Sequence, residues 1–391
     1  MNSSVLATYN RAALAFDHGQ GSWLVATDGT RYLDLTAGIA VNALGHAHPA
    51  LVTALAAQGA KLWHVSNLYT IPEQEVLAQK LTDLTFADTV FFTNSGTEAA
   101  ELAIKMARKY WHDAGHPQRQ KILTFDGAFH GRSTGAIAAA ASEKMTKGFG
   151  ALMPGFESLP FGDHEALRNA LSSDVAAVMI EPVQGEGGIR LLPDACLKGL
   201  RDLCDATGAL LIMDEVQCGM GRTGRLFAHE WAGVTPDIMM VAKGIGGGFP
   251  LGAVLATQKA SAAMVAGTHG STYGGNPLAC AIGNAVVNII SEEAFLAEVR
   301  RKAALFAQGL ESLVARHSKI FETWRGQGLM LGLKCKIAPL DLVRAGQSFG
   351  LLMVPAADNV VRLLPALTIT DDDISQALQR LDDTARTLSA L

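Results

Sequence analysis

Apolar and polar residues are spaced in three different ways along the chain. Near the start, WLVATDGTRYLDL alternates around Asp28-Gly29, a dipeptide that tolerates positive φ, and predicts a small antiparallel hairpin over residues 22 to 36 with a two-residue turn. From about residue 50 to 265 short apolar runs (TVFF, KILTF, VAAVMIE, ALLIMDE, DIMMVA) alternate with stretches of helical spacing. That rhythm is the mark of parallel strands joined by crossover helices, so an α/β, three-layer domain with a mostly parallel sheet is expected. Beyond a Gly-rich stretch at 270 to 275, Pro277 opens a helix to about Glu293, and a second follows near 294 to 316. FETWRGQGLMLGLKC and LLMVPAADNVVRLLP then read as strands joined by turns, and DDDISQALQRLDDTARTLSAL as a closing helix with acidic residues in its first turn. The predicted divisions are an N-terminal segment, 1–48, that joins the smaller unit, a large domain, 49–270, and a C-terminal α+β domain, 271–391.

Composition narrows the class. Of 391 residues 49% are apolar and 18% charged, which supports a large core and excludes intrinsic disorder. With 32 basic against 37 acidic residues and no basic block, nucleic acid is not an expected partner. The longest apolar runs fall far short of the ~20 residues a bilayer crossing needs, so no membrane partner is expected either. The first residues carry only Arg11 and no basic stretch ahead of an apolar one, so no targeting leader is expected. Five cysteines without CxxC spacing read as reduced core residues, and a cytoplasmic location is the expectation.

Three places could carry chemistry. In TVFFTNSGTEAAELAIKMARKYW an apolar strand runs through Ser95-Gly96-Thr97 into a helix. The free N–H groups of the first turn suit a phosphate, and Gly96 lets it approach. Simple helix capping by Ser95 or Thr97 explains the same residues. In ALLIMDEVQ, Asp214 closes a buried strand and needs a cationic or N–H partner, from a ligand or from within the protein. In DIMMVAKGIGGGFPLGA, Lys243 follows another buried strand and precedes a glycine-rich turn. There its ammonium would lose hydration and become a free amine able to condense with a carbonyl, unless it snorkels out to water. Together, a phosphate cradle, a buried acid and an amine match pyridoxal 5′-phosphate, with Lys243 bound to its aldehyde and Asp214 keeping its ring nitrogen protonated.

At this point the chain resembles the class-III, fold-type-I aminotransferases. The likeness rests on YLDLTAGIAVNALGHAHP, LWHVSNLY, FFTNSGTEAAE, FDGAFHGR, EPVQGEGG, LLIMDEVQCGMGRTG, AKGIGGGFPLGA, HGSTYGGNPLAC, RGQGLMLGLK and VRLLP, and covers nearly the whole chain. LWHVSNLY and the GIAVNALGH segment are most similar to the branch that acts on N2-acetyl-L-ornithine in arginine biosynthesis. The resemblance implies that Gly96 and Thr97 bind the phosphate, Phe129 stacks on the pyridine ring and Gln217 contacts its hydroxyl. It implies a homodimer in which Thr272 reaches the phosphate, and Ser271 the substrate, from the neighbouring chain. Arg132 would hold a substrate carboxylate. Glu186 would pair with Arg362 while N-acetylornithine is bound and release it to glutamate or 2-oxoglutarate. The implied reaction is a ping-pong transfer of the δ-amino group to 2-oxoglutarate, with succinylornithine, ornithine, 4-aminobutyrate and lysine derivatives as alternative ω-amine donors. Ala100 stands where the pattern often has Asn.

Three other motifs compete. Gly131-Arg132-Ser133-Thr134-Gly135 fits the G-x-S-x-G nucleophile elbow, but seven residues separate Phe125 from Ser133, where an elbow serine follows its strand at once. Gly219 to Gly224 fits G-x-G-x-x-G, yet RLFAHEWAGVTP is too short for the helix a dinucleotide needs. His112 and His116 share i, i+4 spacing, but Gly115 and Pro117 break that helix, and no metal site is expected.

Overall fold

A computed structural model describes residues 4–140 and 142–390; the first three residues, part of the stretch searched for a leader, lie outside it. The short apolar runs build a seven-stranded sheet in the order Thr89–Thr93, Gly252–Ala256, Ile238–Val241, Leu210–Asp214, Val175–Ile180, Lys121–Phe125, Phe156–Leu159. Six strands run in one direction, so their carboxyl ends share one edge, which in open α/β sheets is where ligands bind.

Alternation within each strand sends successive side chains to opposite layers. In Leu210–Asp214, Leu210 and Ile212 join the layer under the Gly96–Asp113 helix, while Leu211 and Met213 enter the main core. Both faces are covered, so these strands read as continuous apolar runs.

Two strands of this sheet were not legible. Phe156–Leu159 lies at the edge with little periodicity. Gly252–Ala256 sits inside the Gly- and Pro-rich stretch that reads as loop, yet it is the one antiparallel strand, wedged between Ile238–Val241 and Thr89–Thr93. A Cβ on Gly252 would stand 2.9 Å from the Ser95 carbonyl oxygen, so glycine there allows the strand to lie against the turn that opens the Gly96 helix.

The N-terminal hairpin forms, but its connection is one residue longer than expected. Ala26 N–H donates to the Thr30 carbonyl at 2.8 Å, enclosing Thr27 to Gly29, with the positive φ only at Gly29. Its second strand, Arg31–Asp34, pairs in parallel with Leu351–Leu352, joining the N-terminal segment to the C-terminal part. There Phe321–Gln327, Met330–Cys335, Val360–Leu363 and Val354–Pro355 form a four-stranded sheet. The helices Pro277–Ile290 and Glu293–Arg316 lie where the spacing placed them, and Asp371–Ser389 closes the chain, capped by Thr370. The helix Pro339–Ser348 was missed because it begins without a capping hydrogen bond and spans only ten residues. Among the described residues no single helix is long and apolar enough to cross a membrane.

Candidate active site

Where the parallel strands end, a cavity of about 330 Å³ opens, lined among others by Ser95, Gly96, Thr97, Phe129, Asp214, Gln217 and Lys243. Sheet order explains the meeting: each residue lies at or just beyond the carboxyl end of a parallel strand of this one sheet. Ser95 caps the Gly96–Asp113 helix, its hydroxyl accepting from Glu98 N–H at 3.2 Å. The capping reading is therefore correct, and the same helix start, Ser95 to Thr97, lines the cavity. A Cβ on Gly96 would stand 2.8 Å from Val216 Cγ1, so only glycine keeps this turn against the Val216 wall.

Asp214 is buried and has partners within the protein. His130 Nδ1 lies 2.7 Å from Oδ2, and Val216 N–H donates to Oδ1 at 3.0 Å. Burial by itself disfavours the imidazolium, but the Asp214 hydrogen bond and charge together raise the His130 pKa. Beside them Glu181 is buried and accepts from Phe129 N–H at 2.9 Å and Gly185 N–H at 3.3 Å. Desolvation, with the Asp214 charge second, lifts its pKa to about 7. Lys243 sits at the turn after Ile238–Val241 with φ 48°, a left-handed conformation that costs energy for any residue but glycine. Desolvation lowers its pKa against the opposing pull of Asp214 and Glu186.

A second group stands at the side of the cavity. Arg362, with 1% of its side chain exposed, donates from Nη1 to Glu186 Oε1 at 2.6 Å and to Gln217 Oε1 at 3.2 Å. Its Nη2 reaches the Pro355 carbonyl at 3.2 Å, and its Nε is buried without a partner among the described residues. Arg132 is exposed with its guanidinium carbon 5.5 Å from the Phe129 ring centre. Ser271 and Thr272 of the same chain line a neighbouring cavity that shares Asn94 and Thr97 with the first.

The competing motifs find no support in geometry. Ser133 precedes the Thr134–Ala140 helix, and its buried hydroxyl has no hydrogen-bond partner among the described residues, so no base touches it. A single 3₁₀ turn, Ala228–Trp231, follows Gly219 to Gly224 in place of a helix. His112 bonds its neighbour Asp113, and no group of three metal-ligating side chains occurs among the described residues.

The donor set fits pyridoxal phosphate: an anion cradle, an aromatic wall, a buried carboxylate and a desolvated amine converge on one cavity. Residues 6–385 match the family model for aminotransferase class-III. The chain is a class-III aminotransferase. It is similar, at 65% identity over 99% of both chains, to the acetylornithine aminotransferase of Rhodobacter capsulatus. Among solved structures it is similar to the N-acetylornithine aminotransferase of Stenotrophomonas maltophilia, at 37% identity, 98% coverage of both chains and a TM-score of 0.86. It is also similar to an ornithine aminotransferase from Toxoplasma gondii with partial occupancy of PLP at its active site. There the identity is 31%, the TM-score 0.94, and the coverage 98% of this chain and 93% of the other. Class-III aminotransferases are enzymes that use pyridoxal 5′-phosphate.

Sequence reasoning missed His130, Glu181 and Val216. His130 sits in FDGAFHGR and Glu181 follows an apolar strand just as Asp214 does, so the second had a local signal. Neither contact can be read from one segment, because His130 and Asp214 are 84 positions apart.

Proposed function

We propose that this class-III aminotransferase moves the δ-amino group of N2-acetyl-L-ornithine to 2-oxoglutarate, giving N-acetyl-L-glutamate 5-semialdehyde and L-glutamate. The observation that carries the reading is the Glu186–Arg362 pair at 2.6 Å beside the Lys243 cavity. An enzyme that takes a monocarboxylate donor and a dicarboxylate acceptor by turns needs a buried cation whose counter-charge can be exchanged. The names of the similar proteins from Rhodobacter capsulatus and Mesorhizobium japonicum, both acetylornithine aminotransferases, favour this donor.

In this mechanism the N–H groups at Ser95, Gly96 and Thr97 bind the cofactor phosphate, aided by Thr272 from a second copy. Phe129 and Val216 would hold its ring, Gln217 would meet the ring oxygen, and Asp214, steadied by His130, would keep the proton on the ring nitrogen. Bound in this way, the cofactor supplies a carbonyl for the incoming amine and a ring that accepts electrons. Lys243 Nζ, its pKa lowered by desolvation, would take and return the proton at the substrate carbon. Arg132 binds the donor carboxylate, with Ser271 of a second copy lining the same subsite.

A homodimer is supported by an exposed apolar patch: Trp63, Leu68, Tyr69 and Tyr273 are 61% to 88% exposed. The patch adjoins Ser271, because Asn67 Nδ2 donates to the Ser271 carbonyl at 3.1 Å. A cytoplasmic location fits five cysteines that form no disulfide.

The test is a donor panel with 2-oxoglutarate: N-acetylornithine, N-succinylornithine, ornithine and 4-aminobutyrate, run on the wild type and on Lys243→Ala. N-acetylornithine is expected to give the highest kcat/KM and Lys243→Ala to abolish turnover. A different best donor overturns the substrate, and full activity in Lys243→Ala overturns the mechanism.

A further inference from the structure

Glu186 lies in the loop that joins the paired strands Val183–Gln184 and Arg190–Leu191, and Gly185, Gly187 and Gly188 surround it. A loop of that composition has few side chains of its own to pack, so what fixes Glu186 must come from outside it. The C-terminal sheet supplies the support. Cross-strand pairing sets Arg325 opposite Gly332 and Gly332 opposite Arg362. These three positions form one row across the strands Phe321–Gln327, Met330–Cys335 and Val360–Leu363 and face the same side.

The loop lies along that row at three points. Arg325 Nε donates to the Gly188 carbonyl at 2.7 Å. Ile189, fully buried, fills the space over Gly332, where a Cβ would stand 3.0 Å from Ile189 Cγ1. Glu186 meets Arg362 at the other end. Arg325 is itself aimed by Asp358, whose Oδ2 accepts from Nη2 at 2.7 Å, and Lys334 Nζ donates to the Asp358 carbonyl at 2.7 Å. Asp358 and Asn359, both at φ 54°, make the turn of the hairpin that carries Arg362. Just before that turn, Ala357 N–H donates to the Glu186 carbonyl at 3.0 Å. One guanidinium therefore ties the loop of the acid to the hairpin of the cation. The two arginines of the row hold the loop differently: Arg325 grips a peptide carbonyl, which stays in place, and Arg362 grips a side chain, which can turn away.

We infer that Arg325 is a positioning residue for the Glu186–Arg362 pair, anchoring the loop at Gly188 so that the Glu186 carboxylate returns to Arg362 whenever a dicarboxylate leaves. This deepens the function proposed above and rests on its exchange of partners at Arg362. The ligand class affected is a dicarboxylate of glutamate length, which must compete with Glu186. Without the anchor Glu186 has more positions open to it, its hold on Arg362 weakens, and the competing dicarboxylate gains. Damage to the site in general would have the opposite sign.

The test is calorimetric binding of glutarate, a dicarboxylate with neither amine nor ketone, to the holoenzyme. Wild type, Arg325→Ala, Arg325→Lys, Glu186→Ala and the double variant Glu186→Ala/Arg325→Ala are compared, with kcat/KM for N-acetylornithine and glutamate measured alongside. Arg325→Ala is expected to tighten glutarate about fivefold, the worth of one net hydrogen bond, and to lower the N-acetylornithine-to-glutamate ratio by a similar factor. Arg325→Lys is expected to follow Arg325→Ala, because one ammonium cannot span Gly188 and Asp358 together. In the Glu186→Ala background Arg325→Ala is expected to change neither quantity, since no acid remains to be positioned. Should Arg325→Ala not fold, Asp358→Asn, which asparagine's tolerance of positive φ permits, is expected to shift both quantities in the same direction. Unchanged or weaker glutarate binding in the Arg325 variants, or a further gain in the double variant, overturns the inference. Glutarate binding unchanged in Glu186→Ala overturns the exchange of partners itself, a failure distinct from that of Arg325.

Discussion

Replacing Glu186 by alanine is the most informative single perturbation of the ion pair. Arg362 is left with Gln217 Oε1 and the Pro355 carbonyl, both neutral, at 3.2 Å each. Two unit charges about 4 Å apart at an effective dielectric of about 20 attract by about 4 kcal/mol. The Glu186 side chain is 35% exposed, so solvent screening brings this down to about 2 kcal/mol. In the resting wild type that attraction must be given up before a dicarboxylate can bind Arg362. Without Glu186 the competition is gone, and glutamate and 2-oxoglutarate are expected to bind about 30-fold more tightly. The donor complex gains nothing and leaves a buried cation uncompensated, so N-acetylornithine is expected to react less efficiently. Single-turnover absorbance of the cofactor follows each half-reaction separately. The ratio of kcat/KM for N-acetylornithine to that for glutamate is expected to drop between about 10- and 100-fold, with Glu186→Gln intermediate. A ratio equal to that of the wild type would refute the exchange of partners at Arg362, whatever happened to the absolute rates.

Gly96→Ala introduces a methyl 2.8 Å from Val216 Cγ1 and is expected to weaken cofactor binding by about 1–3 kcal/mol, read as the dissociation constant of pyridoxal phosphate by fluorescence titration. Wild-type affinity would show that the turn does not carry the phosphate. Glu181 has its folded pKa raised to about 7 from 4.5, so the folded state binds the extra proton, and stability is lost as pH rises through that value. Glu181→Gln is therefore expected to gain on the wild type in urea denaturation of the cofactor-free protein between pH 5 and 8, by at most about 3 kcal/mol; a pH-independent difference contradicts the raised pKa. Leu68→Glu, placed in the exposed patch, is expected to shift the sedimentation coefficient to that of a monomer and to remove activity, and an active monomer would discard the shared-site dimer.

Asp214, Lys243 and the Ser95-Gly96-Thr97 turn were each singled out from one stretch of sequence, for a physical reason, whereas Phe129, Gln217 and Thr272 were expected only from the resemblance. A buried strand is an uninterrupted apolar run, and the first polar residue after it, Asp214 or Lys243, must stand at the strand's end. In an open sheet those ends share an edge. The Ser95-Gly96-Thr97 turn carries its own signal, because a helix must start there. Where local chemistry contradicted the final structure, the reading failed. Glycine and proline before Gly252 suggested a loop, but the tightness of the Thr93 to Ser95 turn favours a glycine-led strand there. Nothing in TAGIAV announces a left-handed turn, since its residues prefer other conformations and are held by Asp34 and His46 from outside the turn.

What the sequence determined alone was the strongly periodic elements and the chemistry at their ends, because periodicity and buried polar residues are constraints that act within one segment. Which ends become neighbours was settled only in three dimensions. The His130–Asp214 contact, the Glu181 carboxyl beside it, the Val216 wall against Gly96 and the turn at Ile39 all join segments that lie apart in the chain. Such contacts follow from strand order and packing. Their energies arise from desolvation and close approach, which no single stretch of sequence contains.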